Sequence, residues 1–214
     1  MPVLNFYEPS AGSGVFYETF IDVFHSQAQK KVYEKDVLTA AVLKAICHHR
    51  DRTTMVRNKP FEESEDKENG NYDLICSNIP FADVKVFDPK FKDNNLTGKL
   101  HNYFFAKGID KIRNGGVLAY VTTDAFLNSV TNRTARKYLF DRCDFISLVV
   151  LPDNTFSDAG TKAPSHFLVV RKRDGKSELS DEEKLLVESS FQTDINGAKY
   201  ARNTIYRYGR TSAK

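Results

Sequence analysis

Cysteine is scarce in this chain. Cys47, Cys76 and Cys143 are its full complement among 214 residues. Their number is odd and none stands in a CxxC pair, so neither a disulfide framework nor a zinc site organises the fold. Buried, reduced thiols are expected instead. Long apolar runs are also lacking: none approaches the roughly twenty residues that a membrane helix needs. The N-terminus has no basic-then-apolar export pattern. A membrane role is therefore not expected. Charge of one sign is weak, with a formal net charge of only +3. A dedicated DNA-binding domain is usually more basic, so any contact with nucleic acid must be local or must use parts outside this chain. No metal site is expected. Asp83, Asp88 and Asp93 lack the spacing of a calcium loop, and His48 and His49 sit at a helix end where solvent is the natural partner.

What is present is enough for one good-sized core, with 41% hydrophobic residues. Apolar spacing predicts a strand over Val3–Tyr7 and a helix through Val15, Phe16, Phe20, Ile21 and Phe24. A second strand falls at Lys31–Glu34. Asp36 is placed to cap a helix through Val37, Ala40, Leu43 and Ile46. Thr53–Val56 and Tyr72–Ser77 read as the third and fourth strands, with residues 62–71 as a polar loop between them. Residues 82–98 form a long polar stretch, of the kind that is functional or mobile. A helix over Leu100–Ile112 is predicted to stop at Asn114-Gly115-Gly116. A fifth strand covers Val117–Thr122, a helix Thr131–Cys143, and two further strands Phe145–Leu151 and Ser165–Arg171. The alternation up to about residue 150 predicts an α/β, doubly wound, mostly parallel seven-stranded sheet. No helix separates the last two strands, so an antiparallel strand is expected near the C-terminal end. Ser180-Asp181-Glu182-Glu183 resembles a capping box. Two regions are expected: a domain over 1–172, and an appendage, or the start of another region, over 173–214.

Two loops carry the chemistry. Glu8-Pro9-Ser10-Ala11-Gly12-Ser13-Gly14 follows the first strand, and glycine there lets a ligand approach the backbone without a Cβ in the way. The third glycine of the dinucleotide fingerprint is absent, and no Gly-Lys-Ser/Thr follows, which excludes the Walker pattern. Glu34 lies about twenty residues after Gly14, where a carboxylate can accept from both ribose hydroxyls. Asn78-Ile79-Pro80-Phe81 leaves the fourth strand. An amino group conjugated to a ring is a poor nucleophile. The Asn78 oxygen and a backbone carbonyl beside it supply two acceptors that can orient its lone pair. Phe81 can stack on a flipped base.

With these residues in place, the chain resembles the S-adenosylmethionine-dependent N6-adenine DNA methyltransferases. EPSAGSG at 8–14 matches the family's cofactor loop and NIPF at 78–81 its catalytic tetrapeptide. Their order is that of the gamma-type enzymes, and LHNYFFAKGIDKIRNGGVLAYVTTDAFLN also looks like theirs. The methylase regions of large bacterial helicase–methyltransferase proteins look most similar. The resemblance covers about residues 3–172. It implies a Rossmann-like methyltransferase fold and S-adenosylmethionine as cofactor. The loop of Glu8, Pro9, Ser10, Ala11, Gly12 and Gly14 would hold its methionine end and Glu34 its ribose, with Phe61 and Glu62 near its adenine. Asn78 and the Ile79 carbonyl would grip the target amine, with Pro80 and Phe81 completing the catalytic tetrapeptide. No metal and no covalent intermediate are implied.

Three departures follow. Ile79 replaces a proline, which removes rigidity. The chain begins almost at the first strand, without the preceding helix. No target-recognition domain follows residue 172. A fragment of a larger bacterial, cytoplasmic protein is therefore expected, acting on DNA with help from regions outside this chain. Lys85, Lys90, Lys92 and Lys99 are candidates for phosphate contacts. Two alternatives stay open: a non-catalytic cofactor-binding or docking module, and a protein glutamine N5-methyltransferase.

Overall fold

Neighbouring residues of each early strand point to different cores, and that alternation builds the architecture. The computed structural model describes residues 4–24, 29–157 and 163–207; Val3 of the expected first strand lies outside them. In chain order the elements are β1 (Phe6–Glu8), α1 (Val15–Phe24), β2 (Lys30–Tyr33), α2 (Val37–Arg50), β3 (Met55–Arg57), β4 (Tyr72–Asn78), α3 (Asn94–Thr97), α4 (Leu100–Lys111), β5 (Ile112–Thr123), α5 (Asp124–Asn128), α6 (Arg133–Phe140), β6 (Cys143–Val150), β7 (Ser165–Lys172), α7 (Asp181–Val187), β8 (Ser189–Thr193) and β9 (Lys199–Asn203). Phe6, Val32 and Leu74 pack with Tyr17 and Phe20 of α1 and Leu43 of α2. Their neighbours Tyr7, Tyr33 and Ile75 pack on the other face with Tyr103 and Phe105 of α4 and Leu139 and Phe140 of α6. Helices therefore cover two faces of one sheet.

The sheet has seven strands in the order β3-β2-β1-β4-β5-β7-β6. β1 to β5 are mutually parallel, and β7 runs antiparallel to both neighbours. The predicted doubly wound sheet is present, with its antiparallel strand in the predicted place. Asp36 caps α2 by accepting from the Thr39 N–H at 2.8 Å, and Ser180 and Glu183 form the capping box of α7.

Four details differ from the sequence reading. Asn114-Gly115-Gly116 does not cap α4. The helix ends at Lys111, and the three residues lie inside β5, where the register slips between Tyr72 and Leu74 of β4. The helix expected over Thr131–Cys143 is shorter; it follows a 3-10 turn at Val130–Asn132, and Cys143 already opens β6. The polar loop 62–71 contains a buried acid. Glu68 accepts from the Lys31 ammonium at 2.8 Å and the Tyr33 hydroxyl at 2.9 Å, tying the loop beneath β2. The stretch 82–98 is pinned in its middle: Asp88 is buried and accepts from the Tyr103 hydroxyl at 2.6 Å and the Lys107 ammonium at 2.8 Å. Hydrophobic patterning cannot reveal such anchors, because they are polar residues satisfied by polar partners.

The segment after β7 joins the main body. Leu186 and Val187 enter the larger core. The fully buried Arg136 donates to the carbonyls of Val187, Phe126 and Ser129 at 2.8–2.9 Å. β8 and β9 form a separate two-stranded sheet. All three cysteines are free. Among the described residues, no helix is long and apolar enough to cross a membrane.

Removing one partner of a buried ion pair leaves the other uncompensated. Asp88→Ala is therefore expected to destabilise the protein by about 3 kcal/mol in urea unfolding. A loss below about 1 kcal/mol, the scale of an exposed pair, would show that this pair does not anchor the loop.

Candidate active site

In a doubly wound sheet the connections diverge where the strand order reverses, and ligands settle in the crevice left there. Here the reversal lies between β1 and β4. Glu8 ends β1 and Asn78 ends β4. A cleft of about 470 Å³ lies between them, lined by Glu8, Gly12, Phe16, Asn78, Val121 and Phe156 among others. Ser10 lines it too, and also lines an adjoining recess of about 300 Å³ walled by Pro9, Glu34, Phe61, Glu62, Pro80 and Phe87. A third recess of about 380 Å³ includes Phe81, Lys99, His101 and Asp124. Another cavity, about 510 Å³, lies between the end of α2 and β3 beside Lys44, His48, Asp51 and Thr54. It holds none of the candidate residues and sits at the opposite, N-terminal edge of the parallel strands, so it is not the site.

The glycine loop is held through its own backbone by groups at the ends of β2 and β4. The Ala11 N–H donates to the Tyr33 carbonyl at 2.8 Å, and the Ser77 hydroxyl donates to the Ser10 carbonyl at 3.0 Å. Glu34 accepts from the Gly12 N–H at 2.9 Å and from the Asp36 N–H at 2.8 Å, one on each oxygen. A carboxylate has about four acceptor positions, so both oxygens keep capacity toward the recess that Glu34 lines. The two glycines differ in purpose. Gly12 has φ +54° and open space where a Cβ would stand, which leaves its backbone accessible at the cleft. A Cβ at Gly14 would come 2.7 Å from the Leu43 side chain at φ +93°. That glycine lets the loop pack against α2 and lines none of the four cavities described above.

Glu8 is fully buried, and neither carboxylate oxygen makes a well-formed hydrogen bond among the described residues, although the Tyr17 backbone N–H faces it. Burial, the largest cause, holds its carboxyl well above the usual range, and the Glu34 carboxylate adds to this. An unsatisfied acid at a cleft with accessible loop backbone suits a ligand with a positive end. S-adenosylmethionine, positively charged at its methionine end, fits that donor set.

Asn78 is exposed at its strand end, whereas Ile79 is buried. The Ile79 N–H donates to the Val121 carbonyl at 3.1 Å, a bond that proline cannot make. The rigidity expected to be lost with proline is thus supplied by the strand ladder. Phe81 meets Phe156 edge to face, with ring centroids 5.8 Å apart. Burial pushes His101 down to about 4, so it is neutral beside Phe81's recess. Its Nε2 lies 3.0 Å from the Asn132 amide.

The structure brings Glu8, Ser10, Ala11, Gly12 and Asn78 to one cleft, and Pro9, Glu34, Phe61, Glu62 and Pro80 to the adjoining recess. Phe61 is also a core residue, packed on Tyr7 and Phe104. Phe156, Val121 and Phe16 line the cleft without having been candidates. Phe156 follows the turn at Pro152–Asn154, and nothing in its neighbourhood of the sequence points back to Phe81. Among the described residues, no group of His, Cys, Asp and Glu is arranged to hold a metal ion.

Gly14→Ala is expected to lower unfolding free energy by about 2 kcal/mol, because backbone strain and overlap with Leu43 combine. Gly12→Ala is expected to cost about 1 kcal/mol, from strain alone. Denaturant titration of both variants checks the order; a reversed order would show that the crowding at Gly14 is relieved by its surroundings.

Residues 18–156 match the family described as Eco57I restriction-modification methylase. Over 200 residues the chain is 26% identical to the "Defense against restriction protein B" of Escherichia phage P1, across 88% of this chain and 8% of that protein. It is 24% identical to the type II methyltransferase M.HincII of Haemophilus influenzae over 158 residues, 69% of this chain and 28% of that enzyme. The chain thus spans only a small part of either relative. The M protein of the type I restriction enzyme EcoKI superposes with a TM-score of 0.66 at 16% identity, over 84% of this chain and 42% of that one. TYW2 of P. horikoshii, in complex with MeSAdo, superposes with a TM-score of 0.54 at 11% identity, over 79% and 57%. These superpositions establish a Rossmann-like methyltransferase fold, and by the match over residues 18–156 the chain belongs to the Eco57I restriction-modification methylase family.

Proposed function

We propose that this chain is the methyl-transferring core of a DNA methyltransferase that uses S-adenosylmethionine and acts on the N6 amino group of adenine. The observation that carries the reading is the meeting of Asn78, Glu8 and the glycine loop around one cleft at the switch point of the sheet. The names of its relatives, a type II methyltransferase and the M protein of a type I restriction enzyme, support it.

In this reading the recess of Glu34, Phe61 and Glu62 holds the nucleoside end of the cofactor, and the cleft of Gly12 and Glu8 its methionine end. When bound, the cofactor supplies an electrophilic methyl group. The Asn78 side-chain oxygen accepts a hydrogen bond from the target amine, and the Ile79 carbonyl offers a second acceptor from a backbone fixed by burial and by Val121. Together they orient the nitrogen lone pair, so catalysis rests on positioning and on hydrogen bonds made as charge develops. Phe81 and Phe156 present aromatic surface beside Asn78, which suits a flat base better than the side-chain amide of glutamine.

The domain is proposed to run to residue 172, with 173–214 as an appendage or the start of a further region. Sequence selection is assigned to parts of a larger polypeptide, acting in the bacterial cytoplasm. Lys85 and Lys99, which share recesses with Pro80 and Phe81, and the exposed Lys92 are assigned to DNA phosphates; Lys90 pairs with Asp66.

The test is to incubate the intact protein with DNA and methyl-labelled cofactor, then digest to nucleosides. Label in N6-methyladenine is expected; label in protein glutamine, or in neither, would overturn the proposal. Asn78→Ala is expected to lower kcat about 100- to 1,000-fold while leaving cofactor affinity in place. Loss of cofactor affinity in that variant would remove Asn78 from its assigned role.

A further inference from the structure

Glu8 is unlike the other acids near the site. Glu34 accepts two backbone N–H bonds, and Glu62 is exposed. Glu8 has no exposure, and neither oxygen makes a well-formed hydrogen bond among the described residues, the Tyr17 backbone N–H being the donor that faces it, yet it lines the cleft with Asn78. An ionised carboxylate in such a place bears a large desolvation cost unless positive charge stands against it.

Among the described residues, the groups that face it bring no full positive charge. From α1 comes the backbone N–H of Tyr17 and from the end of β2 the carboxylate of Glu34. From β4 comes the Cys76 thiol and from α2 the Cys47 thiol. Burial is the largest influence and raises Glu8; the Tyr17 amide opposes it, and Glu34 raises it further. Burial also pushes the Cys76 thiol up to about 12 and the Cys47 thiol up to about 11, so both are neutral near pH 7.

Resting on the cofactor reading above, we infer that Glu8 is a neutral carboxylic acid while the cleft holds no cation, and becomes the counter-ion of a positively charged ligand group when one enters. The Glu8 O–H bond gives its proton to solvent, and the carboxylate then pairs with an ammonium or sulfonium group. No other bond changes. Ligand entry and proton release are then linked, so affinity rises with pH as long as Glu8 is protonated in the free protein. The site thereby selects ligands by charge as well as by shape. S-adenosylmethionine carries both kinds of cation, S-adenosylhomocysteine only the ammonium, and 5′-methylthioadenosine neither.

Calorimetric titration of the intact protein near pH 7, in two buffers of different ionisation enthalpy, tests this. S-adenosylmethionine is expected to release about one proton per molecule bound, with affinity rising about tenfold per pH unit below the free-protein value of Glu8. Release with S-adenosylhomocysteine as well would assign the ammonium as the group paired with Glu8; release with S-adenosylmethionine alone would assign the sulfonium. Either result supports the inference. Methylthioadenosine is expected to release none, a contrast that decides the matter in the wild-type protein even if a variant fails to fold. Glu8→Gln is expected to abolish the buffer dependence. Binding without proton release, or equal release by methylthioadenosine or by a folded Glu8→Gln variant, would overturn the inference and leave the cofactor reading standing. No binding by the folded protein would overturn both.

Discussion

The carboxylate of Glu34 is the contact on which the site depends. One oxygen takes the Gly12 N–H and the other the Asp36 N–H. The first bond fixes the glycine loop against the end of β2. The second fixes the first residues of α2, whose cap is Asp36 itself. A single side chain thus sets the distance between the connections that leave β1 and β2, and so fixes one wall of the crevice, the glycine loop. Neutral partners would do this less firmly, because hydrogen bonds to an ionised acceptor are stronger and more directional. An acid at this position is needed for the protein's own architecture before any ligand arrives.

Below the crevice, the polar connections are held by charges taken out of water. Glu68 gathers Lys31 and Tyr33 beneath β2. Asp88 gathers Lys107 and Tyr103 beneath the stretch that follows the tetrapeptide. Such pairs are poor sources of net stability, since desolvation consumes much of the attraction. They are good sources of position, because a misplaced partner leaves a charge unpaired in the interior. The stretch 82–98 presents an exposed Phe87 next to the anchored Asp88. Val86 and Leu96 of the same stretch enter the larger core, so its backbone is ordered by apolar and ionic anchors together.

The parts of this arrangement that were legible in the sequence are those written in periods and punctuation. The alternation of strands and helices pointed to the doubly wound sheet, the lack of a helical sequence pattern between the last two strands pointed to the antiparallel strand, and Asp36 and Ser180 announced the starts of α2 and α7. The Glu8–Gly14 loop and Asn78 could be found because glycine spacing and strand-end polarity are local signals. Phe156 could not, since its relation to Phe81 exists only once β6 lies at the edge of the sheet beyond β7. The Asn114–Gly116 run misled for a related reason: as punctuation it is the same for a helix end and for a strand irregularity, and only pairing with β4 decides between them. The distinct duties of Gly12 and Gly14 were equally hidden, because one depends on open space and the other on Leu43.

Ile79 shows how a departure from a pattern can preserve its physical content. A proline after Asn78 would fix φ by its ring but could donate no hydrogen bond. Isoleucine leaves φ free in principle. Here its N–H continues the pairing with β5 one residue past Asn78, and its side chain is buried in the larger core. Two independent restraints replace one covalent restraint, and both act on the peptide whose carbonyl stands beside Asn78. They also bind the tetrapeptide to Val121, which lines the same cleft. In the proline form the backbone holds its shape by itself. In this form its geometry is a property of the sheet, so a disturbance of β5 reaches the tetrapeptide through the β4–β5 pairing that ends at Asn78 and Ile79.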